Sequence, residues 1–126
     1  MYHYYNANPK DRRTDDCVIR AIALATEQSW DDVLVGLTKC ALENKYMISC
    51  PECYGKYLKK LGWVKQKQPV KRNNKKYRAC EFAKKFNGVA IAHVGTQHIA
   101  CIKENEVWDI WDSSDGVIGN YWVKEN

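Results

Sequence analysis

The apolar positions in the first half of the chain follow the helical period and predict three helices. Apolar residues cover nearly the whole circumference of the first helix, so it is expected to be buried, and Asp15 and Asp16 precede it as N-cap and early negative charge. A capping box that begins at Ser29 precedes the second, amphipathic helix. Pro51 suits the first turn of the third helix, and Gly62 is placed to stop it. The predicted helices cover residues 17–26, 30–44 and 51–61.

The second half of the chain has a different pattern. A stretch rich in Lys, Gln and Asn is followed by a short helical segment, residues 80–86, and by an Asn87-Gly88 turn. The remaining segments are short, rich in β-branched and aromatic residues and separated by turn signals, which predicts strands at 89–94, 98–103, 107–111 and 117–123. Because the connections are short, these strands are expected to pair antiparallel. We therefore predict an α+β fold in which N-terminal helices pack on a C-terminal antiparallel β-sheet.

Length and composition indicate one globular domain, residues 1–126. The chain has 126 residues, of which 45% are hydrophobic and 28% are charged, and this composition excludes linkers, disordered chains and fibrous proteins. The longest apolar run, residues 18–26, contains Arg20 and is too short to cross a bilayer, so no membrane partner is expected. The N-terminal residues lack the apolar region and cleavage site of a secretion signal. We therefore expect a cytoplasmic protein.

The net charge of +5 is unevenly distributed. Residues 41–90 contain 13 basic and 3 acidic side chains, whereas residues 91–126 contain 2 and 6. The basic segment 65–78 is bordered by Trp63 and Tyr77, an arrangement that would let phosphates bind while an aromatic ring stacks on a base. Lysine-rich surfaces are more often solvated faces, and the segment contains no recognised nucleic-acid motif. A solvated loop is the favoured interpretation, and nucleic-acid binding is the alternative.

The six cysteines are expected to be reduced thiols, because their density is low for a disulfide scaffold and no export signal accompanies them. Cys50 and Cys53 have the spacing of a zinc-binding pair. A closed zinc site has four ligands, commonly with a second close pair, and the chain has no second pair at this spacing. We expect one of these thiols to serve as a weak helix cap and the other as a packing residue, and we predict no metal and no other cofactor.

Cys17 is the candidate nucleophile. It opens the predicted buried helix, where the helix dipole and the unpaired backbone N–H groups favour thiolate over thiol. The same N–H groups would stabilise the oxyanion that forms when the sulfur attacks a carbonyl. The two aspartates directly before it act in the opposite direction, so the thiolate requires a cationic partner. Considered alone, a cysteine of this kind is more often a buried packing residue.

His98 is the best candidate for that partner. It begins a predicted strand next to a second strand that contains Asp109 and Asp112. An imidazole that takes a proton from a thiol needs an acceptor on its other nitrogen, and a carboxylate across a hairpin supplies one. A two-residue turn at 104–105 would place Asp109 on the face of the imidazole, whereas a three-residue turn would pair His98 with Asp112. Both carboxylates remain candidates, and His93 is a weaker candidate base because no acidic residue follows it on an adjacent short hairpin.

These residues resemble the papain-like cysteine peptidases in the broad sense, including the small bacterial bacteriocin-processing and cell-wall types. The resemblance lies in Asp16-Cys17 at the start of a buried helix, a long gap, and His98 at the start of a strand in GTQHIACIKENEVWDIWDSS, with an acidic residue one strand later. The family often has a Gln shortly before the Cys that completes the oxyanion hole, and residues 11–14 contain none. The resemblance implies a papain-like fold in which nucleophile, base and orienting acid are Cys17, His98 and Asp109 or Asp112.

Together these features predict a thiol hydrolase that cleaves an amide or isopeptide bond of a peptide or protein through an acyl-enzyme. Thr14, a neighbouring Arg or Gln97 would take the place of the missing Gln. The alternative function is a non-catalytic binding or inhibitor module, a bacterial or phage factor whose basic segment 65–78 binds a nucleic acid or an acidic protein. Selective alkylation of Cys17 that depends on His98 would distinguish the two classes.

Overall fold

The computed structural model of the chain describes residues 2–125, and it contains the helices that the apolar pattern predicts. They are α1 (Cys17–Thr26), α2 (Trp30–Asn44), α3 (Pro51–Lys60) and α4 (Ala79–Lys85). Local chemistry marks the ends of the first two, because Glu27 adopts φ +58° after α1 and Ser29 accepts a hydrogen bond of 3.0 Å from the Asp32 backbone N–H in α2. Within residues 2–125, none of these helices has the length and apolar character needed to span a bilayer.

Asp16 occupies the N-cap position of α1 but does not cap the helix. Its φ and ψ are −119° and 26°, and within the described part of the chain its side chain makes no capping hydrogen bond. The carboxylate instead accepts hydrogen bonds from the side chains of Arg20 and Trp30. The expected capping role is therefore replaced by a buried ion pair, and the first N–H groups of α1 remain without a side-chain cap.

The described residues form one mixed sheet. Its strands are β1 (Tyr2–Tyr4), β2 (Trp63–Gln66), β3 (Val89–Val94), β4 (His98–Lys103), β5 (Glu106–Asp109) and β6 (Ile118–Lys124), in the spatial order β1-β5-β4-β3-β6-β2. The α+β class is confirmed, but the prediction of a purely antiparallel sheet is wrong because β1 pairs parallel with β5. Parallel pairing is available to β1 because no tight turn connects it to β5. In addition, β6 pairs with β3 and not with β5. The 110–117 connection crosses from β5 past β4 and β3, so that β6 lies on the far side of β3.

The two edge strands, β1 and β2, are absent from the predicted set. All three side chains of β1 are half-buried or exposed, and β2 buries only Trp63. Neither segment therefore shows the apolar and polar alternation that identifies a half-buried strand. Pairing with a distant strand determines both, β1 against β5 and β2 against β6.

The sheet lies between two helical layers. On one face, α1, α2 and α3 enclose a core that contains Ile22, Leu37 and Leu58. On the other face, α4 packs its apolar side against the sheet. Among the strands, α1 packs most extensively against β4, and this packing brings Cys17, the first residue of α1, to His98, the first residue of β4.

Candidate active site

The turn between β4 and β5 fixes the register of these two strands. Residues 104–105 form a two-residue turn with φ +53° and +62°, and Lys103 lies opposite Glu106. This is the shorter of the two turns that the sequence left open. It brings Asp109, the last residue of β5, to the imidazole of His98.

Asp109 is buried and its carboxylate is held by several donors. Nε2 of the His98 imidazole lies 2.5 Å from Oδ2 of Asp109. The other donors are Ser113 Oγ at 2.7 Å, the Ile110 backbone N–H at 2.8 Å and Arg20 Nη2 at 3.4 Å. Burial raises the pKa of Asp109, but the hydrogen bonds from His98 and Ser113 outweigh it, and the pKa lies below its ordinary value. The carboxylate is therefore ionised at neutral pH and fixed in orientation.

Cys17 interacts with the same imidazole from the first position of α1. Burial raises the pKa of its thiol, but hydrogen bonding with His98 and with the Ile99 backbone N–H, together with the charges of His98 and Arg20, lowers it more. The net pKa is below the ordinary value of 9.0. The backbone N–H of Cys17 lies in the first turn of α1, where no carbonyl of the helix can accept its hydrogen bond. The thiolate form is thus favoured beside a helix N-terminus.

The His98 imidazole lies between two negative groups. Burial lowers its pKa, whereas hydrogen bonding and charge from Asp109 and Cys17 raise it, to about 9. The side chain is 18% exposed, and the indole of Trp111 lies beside it with ring centroids 4.9 Å apart. Relative to the isolated side chains, these contacts favour a thiolate and an imidazolium, and the carboxylate orients the imidazole.

Asp112, the other candidate acid, lies outside this group. Its side chain is exposed, and Oδ1 accepts hydrogen bonds from the Ser114 Oγ at 2.5 Å and the Ser114 backbone N–H at 3.0 Å. These hydrogen bonds lower the pKa of Asp112. The structure therefore brings together Cys17, His98 and Asp109. Asp112 instead accepts hydrogen bonds from Ser114 and stabilises the turn at 112–114.

Arg20 and Ser113 also belong to the site, although the sequence did not mark them as functional. Arg20 is 6% exposed and forms ion pairs with Asp16 and Asp109. The sequence could have indicated a role for Arg20, because it is the one charged residue in a helix expected to be buried, and a buried cation requires a buried anion. Ser113 gave no comparable signal, since serines in turn segments usually serve the local backbone.

The side chains expected to replace the family's Gln in the oxyanion hole were Thr14, a neighbouring Arg and Gln97. Arg13 donates through Nη1 to a backbone carbonyl 3.3 Å away, and the side chain of Thr14 is exposed. Gln97 lies in the turn between β3 and β4. The backbone N–H of Ile99 hydrogen-bonds to the sulfur, and the backbone N–H of Cys17 lies in the first turn of α1 without an intrahelical acceptor. The role of the Cys17 N–H as oxyanion donor stays a prediction.

Cys50 and Cys53 lie at the start of α3. Cys53 is fully buried, with Sγ 3.7 Å from the backbone carbonyl oxygen of Leu37, as expected for a packing residue. Cys50 occupies the N-cap position, but among residues 2–125 its thiol makes no capping hydrogen bond, so the expected weak cap does not form. In the same described range, no three His, Cys, Asp or Glu side chains are grouped so that they could hold a metal ion.

No protein-family model matches this chain, and comparisons with curated proteins and with solved structures also gave no match. The resemblance to papain-like peptidases therefore depends on the residues and contacts described above.

Proposed function

We propose that the protein is a papain-like thiol hydrolase that cleaves an amide or isopeptide bond of a peptide or protein through Cys17, His98 and Asp109. The main support is the unbroken series of contacts from a buried carboxylate, through an imidazole, to a half-buried thiol at a helix N-terminus. A thiol with a lowered pKa beside an imidazole with a raised pKa is the arrangement that nucleophilic catalysis by cysteine requires.

The proposed reaction begins when the Cys17 thiolate attacks the carbonyl carbon of the substrate. The S–C bond forms, and the electrons of the carbonyl π bond move to oxygen, where the Cys17 N–H and the positive end of α1 stabilise the charge. As the C–N bond breaks, the His98 imidazolium gives its proton to the leaving amine. His98 then takes a proton from a water molecule as the water oxygen attacks the thioester carbon. The C–S bond breaks, its electrons return to the sulfur, and the carboxylic acid product is released while Cys17 is again a thiolate.

Cleavage of a peptide library derived from a whole proteome tests this function. The purified protein is incubated with the library, and new peptide termini are identified by mass spectrometry. We expect cleavage by the wild-type protein and a loss of at least about a hundredfold in Cys17→Ala and in His98→Ala, because each variant lacks a reacting group. An acyl group on Cys17 that hydroxylamine removes would identify the intermediate.

Cys80→Ser is the matched control. Cys80 is also a half-buried thiol, but it lies in α4, on the opposite face of the sheet from α1. Its replacement should leave the cleavage rate within about twofold of wild type. Cleavage that persists in Cys17→Ala, or that is lost equally in Cys80→Ser, would refute the proposed role of Cys17.

A further inference from the structure

The basic segment of the chain forms an ordered hairpin in front of α4. Val70 and Lys76 pair in a β-bridge, the Lys71 backbone N–H donates to the carbonyl of Lys75 at 2.8 Å, and Asn74 adopts φ +66° at the turn. We refer to residues 70–78 as the basic hairpin. Its backbone is fixed by these contacts, and residues 72–76 are exposed, as expected for a solvated loop.

The positive charge around the basic hairpin is largely unneutralised. Residues 65–85 contain nine basic side chains and one acidic side chain, Glu81. Glu81 pairs with Lys71 at 2.7 Å and with Arg78 at 3.6 Å, and Arg78 also pairs with Asp115 at 3.1 Å. The other seven cations form no ion pair with any carboxylate of residues 2–125. Such a surface attracts an anionic partner.

A cleft of about 540 Å³ between the hairpin and α4 favours carboxylates over nucleic-acid bases. Arg72 and Lys85 are among the residues that line it. The aromatic ring in the cleft, Tyr77, is covered by ammonium groups of Lys71 and Lys85, which lie 5.7 and 5.5 Å from its centroid. Trp63, the other bordering aromatic residue, is only 6% exposed. A base that stacked on Tyr77 would have to displace these ammonium groups, and Trp63 offers little exposed surface, whereas a carboxylate needs only the cations.

The basic hairpin is joined to the loop that holds the site's carboxylate. The backbone N–H groups of Ala79 and Cys80, directly after the hairpin, donate to carbonyls of the 110–117 loop at 2.8 Å. The same loop provides Ser113, whose Oγ donates to Asp109 at 2.7 Å. A chain bound at the hairpin therefore lies next to the loop that supplies Ser113 to the site.

We propose that the basic hairpin docks an acidic segment of the protein substrate while a neighbouring part of the same substrate reaches Cys17. The inference rests on the proposed hydrolase function and specifies its substrate class, namely proteins with a run of Asp or Glu near the cleaved bond. Arg72, Lys75 and Lys76 are exposed on the hairpin and would contact the substrate carboxylates. Because these contacts are between solvent-exposed charges, they weaken as the salt concentration rises.

Two chloroacetamide peptides test the docking. One contains hexaglutamate and the other hexaglutamine, each joined to the electrophile by Gly-Ser linkers of graded length. The Cys17 thiolate displaces chloride, so the rate of mass gain on Cys17 reports how often the electrophile reaches the sulfur. We expect the acidic peptide to react about tenfold faster at low salt and to lose this advantage at high salt. In the triple variant Arg72→Ala, Lys75→Ala, Lys76→Ala, the two peptides should react at the same rate.

The matched control removes the same total charge from exposed lysines elsewhere, in the triple variant Lys10→Ala, Lys39→Ala, Lys59→Ala. This variant should retain the tenfold advantage, and its loss there would overturn the proposal because net charge would explain the effect. Equal rates for both peptides in wild type at every linker length would also overturn it.

Competition with oligo(dT) distinguishes an acidic protein from a nucleic acid. If oligo(dT) protects Cys17 at a lower concentration than free hexaglutamate does, and the hairpin variant abolishes this protection, the surface binds nucleic acid and the proposal is wrong. The neutral peptide tests the hydrolase function separately. Slow, unselective alkylation by that peptide would contradict the hydrolase function even if acidic peptides bind.

Discussion

Replacing Asp109 by Asn is expected to weaken the ion pair between Cys17 and His98. The substitution keeps the shape of the side chain but removes the negative charge 2.5 Å from Nε2 of the imidazole. Because that carboxylate raises the pKa of His98, the pKa should fall in the variant. The thiol then has a less cationic partner, so the pKa of Cys17 should rise.

The size of the effect follows from the His98 pKa. Its rise from 6.5 to about 9 corresponds to about 3 kcal/mol of preference for the imidazolium. The side chain is 18% exposed, and solvent screening reduces this preference to about 2 kcal/mol, which Asp109 and Cys17 share. Because the hydrogen bond with Asp109 is the largest effect that raises the pKa of His98, the Asn variant should lower that pKa by about one unit.

The sign of the linked stability change can also be worked out. A histidine whose pKa rises on folding adds stability that is complete below its unfolded pKa and is lost as the pH rises through the folded value of about 9. Asp109→Asn should therefore lower the free energy of unfolding more near about pH 6 than near about pH 9. Urea denaturation at the two pH values measures this difference.

Histidine NMR gives the most direct measurement, because the chain has three histidines. The imidazole Cε1–Hε1 signals of wild type, Asp109→Asn and Asp112→Asn are followed through a pH titration, with His98→Ala for assignment. Asp112→Asn is the matched control, since its carboxylate accepts from Ser114 and not from the imidazole. A His98 midpoint that stays near 9 in Asp109→Asn, or that falls equally in Asp112→Asn, would refute the reasoning.

Two further predictions concern the buried ion pairs and the packing of the helices. Arg20→Met leaves the buried carboxylate of Asp16 without its cation and removes one of the two cations beside Asp109, so it should lower the free energy of unfolding in urea by about 3–5 kcal/mol. Arg12→Met at an exposed position should change it by less than about 0.5 kcal/mol. Equal effects would show that the buried ion pairs are dispensable. Gly36→Ala in α2 places a Cβ 2.4 Å from Tyr57 Cε1 and should cost about 1–3 kcal/mol, whereas Gly55→Ala in α3, whose Cβ meets nothing within 4 Å, should stabilise the protein by about 0.5–1 kcal/mol. Thermal unfolding checks this pair, and a stabilising Gly36→Ala would contradict the packing.

Elements with local signals were predictable from the sequence, and elements that depend on distant partners were not. Apolar periodicity and the chemistry of residues such as Ser29 and Pro51 identify α1, α2 and α3, and β-branched runs identify the four central and C-terminal strands. The strand β1 has no such pattern and exists through its pairing with β5, which also makes the sheet mixed. The position of β6 also depends on a distant partner, because the 110–117 connection leads it to β3 and not back to β5.

The same distinction applies to the candidate site. Cys17 and His98 were identifiable because each opens a helix or strand with a clear pattern. The choice between Asp109 and Asp112 was not predictable. The alternation of residues is compatible with either turn length, and only the backbone of the turn shows which aspartate faces His98. The contact between Arg20 and Asp109 joins residues far apart in sequence, so spacing could not reveal it.

Alkylation by iodoacetamide at neutral pH, with each thiol quantified by peptide mass mapping, tests the central claim most directly. Cys50 and Cys80 serve as internal references because both are half-buried, like Cys17. We expect Cys17 to react at least about tenfold faster than either reference, and His98→Ala to remove the difference. Equal and slow labelling of the three thiols, unchanged by His98→Ala, would contradict the claim that Cys17 is an activated nucleophile.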